Sequence, residues 1–261
     1  MDEPTERAPV RWNAELLWQS VVAFLPEFTI EIVPQIDSSN SELMRRARAG
    51  QTDPVLLVAE RQLQGRGRLG RDWRSDVATG AGSLTFSLGL PLAPANWSGL
   101  SLVVGLALAE SLHPELRIKW PNDIWLDERK LAGILIETVS AGDARYAVVG
   151  IGINLQGVPG DGLRNPAAGL QELLPQISAP QVLQRVLLPL VQALQQFVRQ
   201  GFGARQSAFG ARDALLGRPL VCSDGTQGVA RGVDAQGALL LETDRGVVKI
   251  SSAEVSVRPA A

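Results

Sequence analysis

Residues 62–73 read QLQGRGRLGRDW and set three arginines (Arg66, Arg68, Arg71) among three glycines (Gly65, Gly67, Gly70). Guanidinium groups grip carboxylate or phosphate oxygens in bidentate pairs. Glycine leaves backbone N–H groups bare enough to surround an anion. The apolar run VLLVA (55–59) comes just before the loop and reads as the buried strand that delivers it. The loop is therefore a candidate cradle for an anionic or phosphorylated small ligand. A second charged pair suits the same chemistry. Asp123 and Lys130 stand seven residues apart across the turn formers DERK (127–130), and Lys130 opens the otherwise apolar run KLAGILIET. A hairpin there brings the two together, with the ammonium either solvated at the strand mouth or set at a pocket rim.

Two polar clusters lie where strands end. DSSN (37–40) falls between an alternating run and a helical pattern, and its four small polar residues offer more donors and acceptors than one helix cap uses. GIGIN (150–154) ends an apolar strand. Gly150 and Gly152 there permit close approach of a ligand or of a packed neighbour, and Asn154 adds an amide. The loop also spells G-x-G-x-x-G, which would suggest a dinucleotide site. That fingerprint needs a helix straight after the third glycine, and RDWRSDVATGAG has neither helical period nor helix formers.

Composition narrows the classes. The 261 residues carry a net charge of −2, so the arginine loop is a local feature and not part of a basic field for nucleic acid. No apolar run is long enough to span a membrane, and the polar N-terminus lacks a signal-peptide core, so a cytoplasmic protein is expected. The single cysteine, Cys222, excludes an internal disulfide and reads as a small core residue of a strand. The single histidine, His113, ends a helical run and reads as structural. No metal-ligating set is identified.

The elements that must position these groups follow from periodicity. Residues 13–25 have helical spacing with Asn13 as N-cap, and FTIEIV (28–33) alternates as a strand. Ser39 and Glu42 have capping-box spacing for a helix that stops at Gly50. SLTFSLGL (83–90) reads as a strand and LSLVVGLALAESL (100–112) as a buried helix. Pro121 turns the chain between RIKW and DIWL. VPGDGLRNPAAGL (158–170) reads as a mobile loop, and 180–200 as a helix that Pro189 kinks. Beyond about residue 213 come five short strands, RPLVC, GVARGV, ALLLE, GVVKI and AEVSV, with DAQG (234–237) as a hairpin turn. The expected fold class is α/β (α+β): a catalytic domain with a mixed sheet over residues 1–213, and a small SH3-like β-barrel over 214–261 that packs against it.

In order, DSSN, Q-x-x-GRGRLGR-x-W, KWPND, RKLAGILIE and VGIGINL resemble the biotin–protein ligases (biotin–[acetyl-CoA-carboxylase] ligases). The resemblance is strong over residues 37–154 and continues more weakly through GVDAQGALLLE (232–242). Ser39 stands where many members have threonine, which keeps the hydroxyl. About 35 residues precede DSSN and hold no helix-turn-helix, so a short form without the DNA-binding domain is expected. The resemblance implies a class II synthetase-like catalytic domain and a two-step reaction. Biotin and ATP, with Mg2+, give biotinyl-5′-AMP and pyrophosphate; a specific lysine of a biotin carboxyl carrier protein then takes the biotinyl group. It assigns biotin binding to Ser38, Ser39, Asn40, Gln62, Arg66, Gly67, Arg68 and Lys130, and nucleotide binding to Arg66, Arg68, Arg71 and Asn154. Lys130, Arg68 and Asp123 become the catalytic groups, with Asp123 orienting Lys130 or the ligand, and Trp73 and Trp120 shaping the pocket walls. Homodimerisation through a sheet edge is a family habit that one sequence leaves open. The competing readings are a lipoate or octanoate ligase or transferase on the same fold, a biotin-binding DNA regulator, and a nicotinamide dehydrogenase. The first lacks the KWPND and RKLAGIL pair, the second needs a basic recognition helix, and the third needs the missing βαβ unit.

Overall fold

A computed structural model describes residues 10–73, 82–141, 144–157, 166–251 and 257–259. In chain order the elements are α1 (Ala14–Val21), β1 (Thr29–Val33), α2 (Ser39–Arg48), β2 (Val55–Ala59), β3 (Ser83–Leu92), α3 (Leu100–Leu112), β4 (Arg117–Lys119), β5 (Asp123–Leu126), β6 (Arg129–Ala141), β7 (Ala144–Asn154), α4 (Ala179–Gln200), α5 (Gln206–Gly210), β8 (Pro219–Cys222), β9 (Gln227–Val233), β10 (Leu239–Thr243), β11 (Gly246–Ile250) and β12 (Val257–Pro259). Strands β1 to β7 form one sheet in the order β1-β2-β3-β7-β6-β5-β4. Only β1 and β2 pair in parallel, because α2 carries the chain back between them; the other pairs are antiparallel. The mixed α/β architecture expected from the sequence is present.

The two faces of this sheet are covered unequally. Helices α1, α3 and α4 pack on one side, where α3 is buried nearly all round. Each fully buried leucine or valine there contributes about 1.5–3 kcal/mol. On the other side α2 alone lays Leu43, Met44 and Ala47 against Val55, Leu57, Tyr146 and Val148. One helix covers only part of that face. The N-terminus of α2 and the ends of β3, β6 and β7 are left around a hollow. Strand β3 is therefore buried on both sides, and the alternation read in SLTFSLGL is not an alternation of exposure.

Several local expectations are corrected. Asn13 is the N-cap residue of α1 as read, but it sits in left-handed backbone (φ 50°) and its side chain makes no capping hydrogen bond. The N-cap of α2 is Ser38, whose hydroxyl accepts from the Ser41 N–H, and Ser39 is the first helical residue. Its partner in the expected box, Glu42, instead pairs with Arg45 and Arg46. Helix α4 is present as read, with Pro189 inside it. The loop read at 158–170 has residues 158–165 outside the described residues, and Leu170–Glu172 forms a 3-10 turn.

The second sheet, β11-β10-β9-β8-β12, is antiparallel throughout, as an SH3-like unit requires. Its last strand begins at Val257; residues 252–256, most of the predicted AEVSV strand, lie outside the described residues. Asp234 builds the DAQG turn, its carboxylate accepting from the N–H groups of Gln236 and Ala238. That turn docks on the first sheet: the buried Trp120 indole donates to the Gly237 carbonyl at 3.0 Å. Trp120 thus joins the two units, and its peptide to Pro121 is cis. Among the described residues no helix is long and apolar enough to cross a membrane.

Candidate functional site

The hollow beside α2 is a cavity of about 140 Å³. Ser38, Ser39, Asn40, Gln62, Arg66, Gly67, Arg68, Arg71, Asp123 and Lys130 all line it, so the fold gathers in one place residues predicted from four separate motifs. Asn154 stands apart from the lining. It is buried at the end of β7, where its amide makes a long hydrogen bond (3.5 Å) to the Lys130 carbonyl.

The cavity has a neutral end and a charged end. The neutral end is built from α2 and β3. Ser39 gives its N–H to Gln62 Oε1 at 2.7 Å, and its hydroxyl lies 3.1 Å from the same oxygen. That hydroxyl also meets Ser87 Oγ at 2.7 Å, and Ser87 donates to Asn40 Oδ1 at 2.6 Å. The Asn40 amide then donates to the Leu135 carbonyl and to Glu137 Oε2. The side-chain polar atoms of Ser39 and Asn40 are thus spent inside the protein, and the pair forms the wall of the cavity. Gly150 explains how this is possible. A Cβ there would lie 2.7 Å from Asn40 Cγ, so the missing side chain makes room for Asn40. Gly152 does the same for the indole of Trp73. The close approach that the sequence left open is therefore made by two side chains that wall the cavity.

The charged end lies where β4, β5 and β6 meet. Lys130 Nζ is 2.7 Å from Asp123 Oδ1, as the hairpin reading required. It also sits 5.6 Å over the Trp73 ring, a cation–π distance. Lys119 was missed from the sequence, although it is the first letter of KWPND. Its ammonium lies 3.9 Å from Asp123 Oδ2 and 5.2 Å over the Trp125 ring, and its side chain is 15% exposed. Burial pushes the Lys119 ammonium below its ordinary value, with Lys130, Arg71 and Arg68 adding to the effect against Asp123. Burial also lowers the Arg68 guanidinium. Five cationic side chains (Arg66, Arg68, Arg71, Lys119, Lys130) line the cavity against the carboxylates of Asp72 and Asp123. Such a site gains by taking up an anion.

The Gly/Arg loop closes over the cavity as a small hairpin. Gly67 N–H donates to the Arg71 carbonyl, and Trp73 N–H to that of Gly65. Arg66 reaches across, donating to Ser41 Oγ at 3.2 Å and to Glu137 Oε1 at 3.0 Å. Arg68 is half-buried and donates to Asn122 Oδ1 at 3.4 Å. With Pro121 and Ile134 it also lines a second hollow of about 350 Å³ at the N-terminal end of α3. Trp120 borders that hollow and not the charged cavity, so only Trp73 is a wall of the latter. Val257 of β12 lines the charged cavity as well, so the C-terminal unit contributes to it.

The profile of the Biotin/lipoate A/B protein ligase family matches residues 33–154, and that of the biotin protein ligase C-terminal domain matches residues 223–258. The biotin--[acetyl-CoA-carboxylase] ligase of Paracoccus denitrificans is 36% identical over 240 residues, covering 86% of this chain and 98% of the relative. This chain belongs to the biotin protein ligase family. The bifunctional ligase/repressor BirA of Salmonella typhimurium is 36% identical over 244 residues, covering 88% of this chain and 75% of that one. Among solved structures, a biotin protein ligase from Aquifex aeolicus in complex with biotin and ATP superimposes with a TM-score of 0.75. It is 30% identical, and the match covers 89% of this chain and 99% of that one. The family matches cover the segments that line the charged cavity and strands β9 to β11 of the small sheet.

Proposed function

We propose that this chain joins biotin to ATP in the charged cavity and then passes the biotinyl group to a lysine of a biotin carboxyl carrier protein. The observation that carries the reading is the Lys130–Asp123–Lys119 cluster beneath the arginine loop. In the first step a biotin carboxylate oxygen attacks the α-phosphorus. The new O–P bond forms as the bond to pyrophosphate breaks. Two anions must meet, so preorganised cations at the meeting point lower the barrier. Lys130 supplies one cation at the reacting oxygens, and Asp123 holds it in place. Arg66, Arg68 and Arg71 face the phosphates from the loop, and Asn154 fixes the Lys130 backbone from behind. In the second step the carrier amine attacks the acyl carbon, loses a proton, and AMP departs with the bonding pair.

The Ser38–Ser39–Asn40 turn, with Gln62 and Gly67, shapes the end that receives the bicyclic head. ATP enters as its magnesium complex. Among the described residues no group of three or more His, Cys, Asp or Glu stands ready for a metal ion, so in this reading the phosphates carry it. Residues 1–213 form the catalytic domain and 214–261 the C-terminal domain. The chain works in the cytoplasm, where its carrier is made. Incubating the protein with biotin, ATP and a carrier domain tests the reading. A carrier biotinylated on one lysine supports it, and a carrier left unmodified by folded enzyme that still binds biotin contradicts the transfer step.

A further inference from the structure

Arg66 lines the charged cavity, yet its guanidinium is anchored beyond it. The head donates to Ser41 Oγ at 3.2 Å and to Glu137 Oε1 at 3.0 Å, and neither Ser41 nor Glu137 belongs to the lining. Strand alternation brings Glu137 to this place. Gly133 and Leu135 of β6 line the cavity, and Glu137 is the next residue on the same face. Its second oxygen, Oε2, accepts from Asn40 Nδ2 at 3.1 Å. Asn40 is itself locked by Ser87 and by the Leu135 carbonyl. One carboxylate thus ties the Gly/Arg loop both to β6 and to the first turn of α2. The Glu137 side chain is 22% exposed and that of Arg66 51%, so the acid is the fixed partner and the arginine the held one.

A guanidinium carries several N–H donors in a fixed fork. Ser41 and Glu137 engage its two terminal nitrogens from outside, which leaves further donors for an anion in the cavity. Asp123 stands in the same relation to Lys130: a carboxylate fixes a cation that meets the reacting oxygens. We infer that Glu137 is a positioning residue that latches the Gly/Arg loop, through Arg66, over the reactive adenylate. The inference rests on the biotin reading above and deepens it. Glu137 touches neither substrate nor reacting atoms, so its effect falls on how long the intermediate is held and not on the bond changes.

Glu137→Gln tests the latch with little change of shape. It keeps one acceptor oxygen for Asn40 and turns an amide NH2 toward Arg66, donor against donor. Enzyme charged with ATP and labelled biotin is diluted into excess unlabelled biotin, and the label still bound is followed by gel filtration. Adenylate escapes from Glu137→Gln about two- to fivefold faster than from wild type, the worth of a partly exposed ion pair. The urea midpoint of the ligand-free protein stays close to wild type. Glu137→Asp, which keeps the charge but withdraws it by one methylene, also speeds escape. In an Arg66→Met background Glu137→Gln adds nothing, because the latch acts through Arg66. Escape at the wild-type rate from either folded Glu137 variant overturns the latch. So does a Glu137→Gln effect that persists in full without Arg66, the mark of a merely structural role. Wild-type protein that forms no adenylate overturns the underlying biotin reading instead, a distinct result.

Discussion

Replacing Gly150 by alanine tests why the fold places a glycine against the N-terminus of α2. The added methyl would lie 2.7 Å from Asn40 Cγ and 3.0 Å from its Nδ2, with Oδ1 closer still. Asn40 has nowhere to retreat, because Ser87, Leu135 and Glu137 hold its amide from three sides at 2.6, 3.2 and 3.1 Å. Either the amide leaves these partners or α2 lifts from the sheet. Overpacking costs about 1–3 kcal/mol, and each hydrogen bond lost adds about 1 kcal/mol. Gly150→Ala should therefore lose about 2–5 kcal/mol in urea unfolding of the ligand-free protein, a large part of an ordinary domain's stability. Gly152→Ala makes the useful contrast. Its methyl meets the Trp73 indole, with Nε1 at 2.7 Å, and Trp73 sits on the loop and not in the core. Its stability loss should be under about 2 kcal/mol, while the KM for biotin rises as the loop is displaced. A Gly150→Ala protein within about 0.5 kcal/mol of wild type, the range of an ordinary surface change, would refute the reasoning. The glycine would then serve the ligand and not Asn40.

Three further outcomes follow from the geometry. Lys130→Ala should slow adenylate formation about 10²- to 10³-fold, the loss expected for one preorganised electrostatic group; near-wild-type pyrophosphate exchange in a folded mutant would remove Lys130 from the chemistry. Arg68→Gly deletes a side chain that lines both hollows and should let the reactive adenylate escape, raising label on bystander lysines; no rise in biotin on added albumin would refute the lid role. Asp213 has one carboxylate oxygen without a partner, and burial pushes its carboxyl up to about 6. The unfolded chain ionises first, so this group's stabilising contribution is full below about pH 3.8 and gone above about pH 6. Asp213→Asn should thus gain on wild type between pH 4 and 6, reaching on the order of 1–3 kcal/mol at pH 7, and melting curves that stay parallel across that range would contradict it.

The elements that carry the site were legible because their periods are strong. VLLVA, the helix at 100–112 and the hairpin around DERK occur where apolar runs and turn formers put them. Left-handed backbone at Asp127 and Glu128 closes that hairpin and brings Asp123 to Lys130. What escaped the sequence depends on contacts between distant segments. Ser38 and not Ser39 became the cap because Gln62, 23 residues on, claims the Ser39 N–H. Lys119 gave no local signal of its own, and only the sheet shows it buried beside Asp123. Trp120 was expected at the pocket wall, but the Gly237 carbonyl draws its indole to the joint between the units. Glu137 carried no local signal, because its partners, Asn40 and Arg66, lie 97 and 71 residues away.

The most direct test of the central claim is ATP–pyrophosphate exchange measured with biotin, with lipoate and with no acid, since it needs no knowledge of the carrier. Exchange that depends on biotin alone is the predicted result and would establish the adenylation half-reaction. Exchange driven by lipoate and not by biotin would contradict it, as would a folded protein that exchanges with neither acid.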